Sequence, residues 1–252
     1  MKILVTNDDG IHAPGLEVAE RIANALSDDV WVIAPEMDQS GVAHSLTLSD
    51  PIRMRRIGER RFAIRGTPTD CVIMGFKVAI GEKPDLVISG VNRGQNLADD
   101  VTYSGTVAGA IEGTLLGIPS VALSQAYGYD TSDHPPWSTA ETHAPGIIEA
   151  LIKAGFGQGI LFNINFPNCA PEAVRGTVLT RQGRRIPDWL KVEHRTDGRG
   201  FPYYWIGFQR SRMEPEEGTD LAAIGDRQIS VTPLSLDLTD ERALKRLADA
   251  FG

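Results

Sequence analysis

The sequence predicts an α/β fold, a Rossmann-like, doubly wound and mostly parallel sheet, on three observations. Its strand-like runs are short and consecutively apolar, as in Ile3-Leu4-Val5, Val32-Ile33-Ala34 and Leu86-Val87-Ile88, the pattern of strands buried on both faces. Stretches with helical spacing of apolar residues alternate with those runs. The links are short, which implies right-handed crossovers between parallel neighbours.

Taken in order, the first run starts at residue 1 and stops at Gly10, so Asp8 and Asp9 stand at the carboxyl end of a buried strand. Residues 15–26 carry Leu16, Ala19, Ile22, Ala23 and Leu26 on one stripe, a helix facing the sheet. Residues 30–35 form the second strand, and a polar loop follows through Asp38-Gln39-Ser40-Gly41. Arg53, Arg55, Arg56, Arg60, Arg61 and Arg65 interleave with Met54, Ile57, Phe62 and Ile64 around Gly58-Glu59, which suits a hairpin with one wet face. Those charges are expected to guard an exposed edge, with attraction of a phosphorylated ligand as the alternative. Thr67 as a cap and Pro68 at the first helical position start a helix. Residues 84–90 make the third parallel strand, which runs into a loop over 91–96. Ser104-Gly105-Thr106 opens a helix over 107–116, whose alanines and glycines permit close packing on a sheet or near a ligand. Residues 118–124 and 160–166 are further strands.

Past about residue 180 the pattern changes. An aromatic strand over 203–207, an acidic loop around Glu214-Pro215-Glu216-Glu217-Gly218, a late strand over 229–234 and an amphipathic helix over 241–251 follow. The whole of 1–252 is read as a single domain, with a catalytic core over about 1–180 and a C-terminal β-hairpin extension, late strand and terminal helix over about 181–252. Exposed aromatics on a hairpin together with a terminal amphipathic helix favour contacts between subunits.

Composition narrows the class. With 42% hydrophobic and 23% charged residues, the chain is ordinary for a soluble globular protein. The net charge of −8 argues against a nonspecific nucleic-acid binder, so no nucleic-acid polymer is expected as a partner. No apolar stretch reaches the length of a membrane span and no signal-peptide pattern opens the chain, so a cytoplasmic location is expected. Cys71 and Cys169 are far apart and without CxxC spacing; they read as small core fillers and indicate no zinc site.

In open α/β sheets, ligands bind outside the carboxyl ends of the strands. Four loops bring oxygen-rich residues to that edge: Asp8-Asp9, Ser40, Asn92 with Asn96, and Ser104 to Thr106. Adjacent carboxylates repel one another unless a cation or a shared proton relieves them. Two carboxylates, a hydroxyl and an amide carbonyl form an all-oxygen set that suits Mg²⁺ or Mn²⁺ and disfavours zinc. Ser104-Gly105-Thr106 at a helix start offers backbone N–H groups and the positive end of the dipole, a seat for phosphate. Neither GxGxxG nor GxxxxGK is present. Metal beside a phosphate seat points to phosphoester hydrolysis, with Asp8 or Asp9 orienting the attacking water. His12, His44 and the hydroxyls are the candidates for the leaving-group acid.

Asn7-Asp8-Asp9-Gly10, Val32-Ile33-Ala34-Pro35 with Gln39-Ser40-Gly41 and Ser45-Leu46-Thr47, Gly66-Thr67-Pro68-Thr69-Asp70-Cys71-Val72, the run from Ser89 to Asn96 and Tyr103-Ser104-Gly105-Thr106-Val107 together resemble the SurE family of stationary-phase survival proteins. The likeness runs nearly end to end, including Tyr204-Trp205 and the run from Ile229 to Leu234. It implies a metal-dependent 5′-nucleotidase, a phosphoric monoester hydrolase, that acts on nucleoside 5′-monophosphates. It also implies 3′-monophosphates and short polyphosphate as further substrates. The implied ligands of one divalent ion per subunit are Asp8, Asp9, Ser40 and Asn92; the implied phosphate contacts are Asn96, Ser104, Gly105 and Thr106. A homodimer or homotetramer built through the C-terminal hairpin and an exchanged terminal helix is implied as well. Two departures stand out: Gln95 where proline is usual, and His44 where asparagine is often found.

Two other families of phosphoryl chemistry share part of this pattern. A phosphoacceptor receiver-like signalling module also begins with a strand ending in an acidic pair, but it needs an aspartate at the end of its third strand, and Leu86-Val87-Ile88 ends in Ser89-Gly90. A phosphatase with a covalent aspartyl-phosphate places two aspartates one residue apart, whereas Asp8 and Asp9 are adjacent.

Overall fold

The fold is given by a computed structural model that describes residues 1–128, 130–185, 190–208 and 215–251. Of the acidic loop, Glu214 lies outside the described residues. Among the described residues nine strands form one sheet: β1 (Lys2–Thr6), β2 (Asp29–Pro35), β3 (Arg53–Arg56), β4 (Arg61–Arg65), β5 (Leu86–Arg93), β6 (Ser120–Gln125), β7 (Ile160–Phe166), β8 (Thr177–Leu179) and β11 (Ile229–Ser235). Strands β9 (Leu190–Thr196) and β10 (Pro202–Phe208) make a separate antiparallel hairpin. The spatial order β3-β4-β2-β1-β5-β6-β7-β11-β8 reverses direction between β1 and β5, and the five central neighbours from β2 to β7 are all parallel. Helices α1 (Pro14–Leu26), α2 (Pro68–Met74), α3 (Gly105–Leu115), α4 (Trp137–Ala154), α5 (Asp220–Gly225) and α6 (Glu241–Phe251) complete the chain.

Strand β1 shows why both faces are covered. Ile3 and Val5 join the core formed with Leu16, Ile22 and Ile148 of α1 and α4, while Leu4 points the other way into a cluster with Ile33, Ile64 and Val72 beside α2. All three are fully buried, so no polar alternation is available to a strand in this position. Helix α2 begins as its sequence predicts. Thr67 Oγ1 accepts the Asp70 N–H, and the Asp70 carboxylate accepts the Thr67 N–H, a reciprocal cap. The helix continues into a π-helical segment, Gly75–Ile80, that ends on left-handed Gly81.

The arginine segment is the hairpin expected, with β3 on the edge of the sheet and Arg53, Arg55 and Arg56 exposed. Arg61 reaches back to Glu20 and the Ile11 carbonyl, and Arg60 to Asp29. Several features go beyond the expectation. Strand β5 runs on to Arg93 where a loop was expected from residue 91. Helix α4 was not anticipated; Pro135-Pro136 precede it and Pro145 lies inside it, punctuation that ordinarily marks turns. Strand β8 and helix α5 are short and were missed, and β11 lies inside the main sheet, antiparallel to β7 and parallel to β8. No helix among the described residues is long and apolar enough to cross a membrane.

Candidate active site

The turn after β1 is built first. Asn7, fully buried, donates from Nδ2 to the Gly10 carbonyl at 3.0 Å and closes the turn that carries the two aspartates. Asp8 is 4% exposed, whereas Asp9 is only partly buried. The loop after β2 is pinned to this turn, because Gln39 N–H donates to the Asp8 carbonyl at 2.8 Å. One residue on, Ser40 N–H donates to Asp38 Oδ1 at 2.7 Å, which holds the backbone of the loop at Ser40.

The end of β5 delivers Asn92. Ser89 pairs with Ala122, but Asn92 pairs with Ser124, so Gly90 and Val91 face a single residue of β6. This bulge resets the alternation: Ile88 and Val91, three apart, both enter the core shared with α1. Asn92 is thereby turned to the opposite face from the one a regular strand would give it. Only glycine fits at position 90, where φ is +134° and a Cβ would stand 2.3 Å from the Leu123 carbonyl oxygen. Asn92 Nδ2 then donates to the Gly94 carbonyl at 2.9 Å, and Arg93 N–H donates to Asp9 Oδ2 at 3.2 Å.

Helix α3 is aimed at the aspartates. Ser104 caps it by accepting the Val107 N–H at 3.1 Å. A Cβ on Gly105 would lie 2.7 Å from the Asp8 Cβ, so the bare glycine lets the helix start press against the carboxylate. Thr106, fully buried, donates its hydroxyl to Asp8 Oδ1 at 2.5 Å.

Asp8, Asp9, Ser40, Asn92, Asn96 and Ser104 meet on the wall of one cavity of about 400 Å³, at the reversal between β1 and β5. Gly105 and Thr106 stand behind that wall, packed on Asp8, and so does the side chain of Asn96 in part. Its Nδ2 donates to Ser124 Oγ at 2.9 Å, its N–H to Asn165 Oδ1, and its carbonyl accepts Asn163 Nδ2 at 2.8 Å. Asn163 and Asn165, fully buried alternate residues of β7, were missed by sequence reasoning; two amides inside an apolar strand were the available signal. Arg93, Tyr127 and Arg185 also line the cavity and were not foreseen, and the arginines of the edge hairpin do not line it. His12 and His44 are absent from its wall; His44 Nε2 instead lies 2.9 Å from Glu112 Oε2 on α3.

The sequence profile described as Survival protein SurE matches residues 3–188. A protein of Methylorubrum extorquens named 5′-nucleotidase SurE is 61% identical over 252 residues, covering 100% of this chain and 99% of its own. One of the same name from Rhodopseudomonas palustris is 60% identical over 254 residues, covering 100% of both. The chain belongs to the SurE family. Among solved structures, the SurE protein from Aquifex aeolicus is similar over 100% of both chains with 38% identity and a TM-score of 0.86, so this SurE-family fold is shared in full.

The SurE-family site is electrostatically strained as it stands. Burial pushes the Asp8 carboxyl up to about 7, against the hydrogen bond from Thr106, with the charges of Asp9 and Asp38 adding to the rise. Asp9 is raised as well, by burial first and by Asp38, while the N–H and the charge of Arg93 hold it down. A cation would relieve both. Among the described residues no three His, Cys, Asp or Glu side chains gather into a metal-binding group; the oxygens that share this wall with the two carboxylates include those of Ser40 and Asn92. That set is hard and all-oxygen, which fits Mg²⁺ or Mn²⁺ and not zinc.

Proposed function

We propose that the chain is a 5′-nucleotidase that hydrolyses nucleoside 5′-monophosphates to nucleoside and phosphate, with 3′-monophosphates and short polyphosphate as further substrates. One divalent ion, Mg²⁺ or Mn²⁺, is held per subunit by Asp8, Asp9, Ser40 and Asn92. The observation that carries this reading is the meeting of those four residues on one cavity wall with Ser104, the cap of α3. When bound, the ion would supply a Lewis acid for the phosphoryl oxygen and would lower the pKa of the attacking water. Thr106 occupies Asp8 Oδ1 and Arg93 N–H occupies Asp9 Oδ2, which fixes both carboxylates and leaves Asp9 Oδ1 to orient the water and take its proton. The N–H groups of Gly105 and Thr106, first in the helix and without acceptors inside it, stabilise charge on the phosphoryl group together with the Ser104 hydroxyl. Asn96 acts through its buried network, which holds the loop between Asn92 and Ser104 in place.

The same reading includes a cytoplasmic homodimer or homotetramer. It is supported by exposed Tyr204, Trp205 and Ile206 on β10 and exposed Leu244, Leu247 and Phe251 on α6, apolar surface that a lone subunit would leave in water.

Phosphate release from a panel of 5′- and 3′-nucleoside monophosphates and short polyphosphate, with Mn²⁺, with Mg²⁺ and after chelation, tests the reaction. Release that needs metal and favours nucleotides is expected; no release with either metal would overturn it.

A further inference from the structure

We propose that the base of the bound nucleotide lies in a second cavity that shares a wall with the first, with the ring of Tyr127 as its stacking platform and the amide of Gln95 reading its edge. The proposal rests on the phosphatase reading of the first cavity and names where the leaving group goes.

Two cavities share a wall. Gln95, Tyr127 and Arg185 line both the cavity with the aspartates and a neighbouring one of about 380 Å³, which Asn168 and Arg227 help to enclose. That volume falls in the range of small-molecule pockets, roughly 300–1,000 Å³. A nucleotide whose phosphate sits against α3 must send its nucleoside into neighbouring space, and this cavity adjoins the first across those three shared side chains.

The chemistry of the shared wall suits a nucleobase, which offers a π face and an edge of donors and acceptors. Tyr127 supplies an aromatic face. Its ring lies beside the loop that carries Asn92 and Asn96: a Cβ on Gly94 would make ordinary contact with Tyr127 Cε1 at 3.5 Å, and the Arg93 guanidinium lies 5.6 Å from the ring centroid. Its position therefore follows the position of the phosphate-binding loop. The Gln95 side chain is partly buried and makes no hydrogen bond among the described residues, so its donors and its acceptor are free for an incoming edge. A second phosphate is a poorer occupant. Arg185 is already neutralised by Asp100, with Nε 3.2 Å from Oδ1, and of the arginines on this wall only Arg227 keeps its charge unpaired among the described residues.

Equilibrium binding of adenosine 5′-monophosphate and of ribose 5-phosphate to the full-length Mn²⁺-loaded protein, with phosphate release measured in parallel, tests the proposal. The wild type is expected to prefer the nucleotide. Tyr127→Ala is expected to reduce that preference about tenfold, the size of one lost base–aromatic stack, while Tyr127→Phe keeps it. Gln95→Ala is expected to alter the ranking among the four common nucleoside monophosphates. An equal loss for both ligands in Tyr127→Ala, or an unchanged preference, would overturn the subsite while leaving the phosphatase reading intact. Base-dependent binding that Tyr127→Ala abolishes, in a protein that releases no phosphate, would support the subsite and overturn the phosphatase reading instead.

Discussion

At the scale of single residues, Asp8 sets the terms. Its carboxyl is held near 7 in the fold against an ordinary value of 3.8, so the folded state keeps a proton that the unfolded chain gives up. Stability from this group is therefore fully present below about pH 4 and is lost as pH rises through 7. The thermal midpoint of chelated protein should fall between pH 5 and pH 8, and saturating Mn²⁺ should flatten that slope by exchanging the proton for a cation. A midpoint that is flat without metal would contradict the burial argument. Asp8→Asn should remove most turnover together with the Mn²⁺-induced rise in midpoint, both readable from one purified variant; near-normal activity would exclude Asp8 as a ligand. Gly105→Ala tests the close approach of α3 directly. Its new methyl would meet the Asp8 Cβ at 2.7 Å, and the expected result is a loss of about 1–3 kcal/mol in stability on urea unfolding, with activity reduced by more than that loss explains.

Secondary-structure elements were legible in proportion to how simply their pattern reports their surroundings. Strands β1, β2 and the first half of β5 could be read because consecutive apolar residues mean burial on two faces, and α2 because Thr67 and Pro68 spell out a helix start. The bulge in β5 could not be read, since it depends on Leu123 of a neighbouring strand pressing on Gly90. The same holds for the cavity wall. Asp8, Asp9, Ser40, Asn92, Asn96 and Ser104 declare themselves by residue type at strand ends, whereas Tyr127 and Arg185 join the wall through tertiary placement alone. Asp220, at the start of α5, shows how far such placement reaches. Its Oδ2 accepts the Ala98 N–H and its Oδ1 those of Gly183 and Leu221, tying the loop after β5 to the C-terminal third of the chain. Asp220→Asn turns one acceptor into a donor facing an N–H. A loss of about 1–3 kcal/mol is expected in chemical denaturation, and an unchanged unfolding midpoint would show that the tie carries no energy.

For the molecule as a whole, the fold class followed from the alternation of strands and helices, but the sheet's completion did not. The late strand was recognised over 229–234, yet nothing local said that it would lie antiparallel on β7 and bring β8 in as its other neighbour. Such pairing is a long-range choice, governed by which edge is left open once the parallel strands are filled. Its consequence appears during synthesis. A growing chain can assemble β1 to β7 as it leaves the ribosome, but the free edge of β7 must wait until residues 167–228 have also been made before its partner emerges. Until then the nascent sheet ends in an apolar strand with open hydrogen-bonding groups, a surface that a chaperone would have to shield or a neighbouring nascent chain could capture.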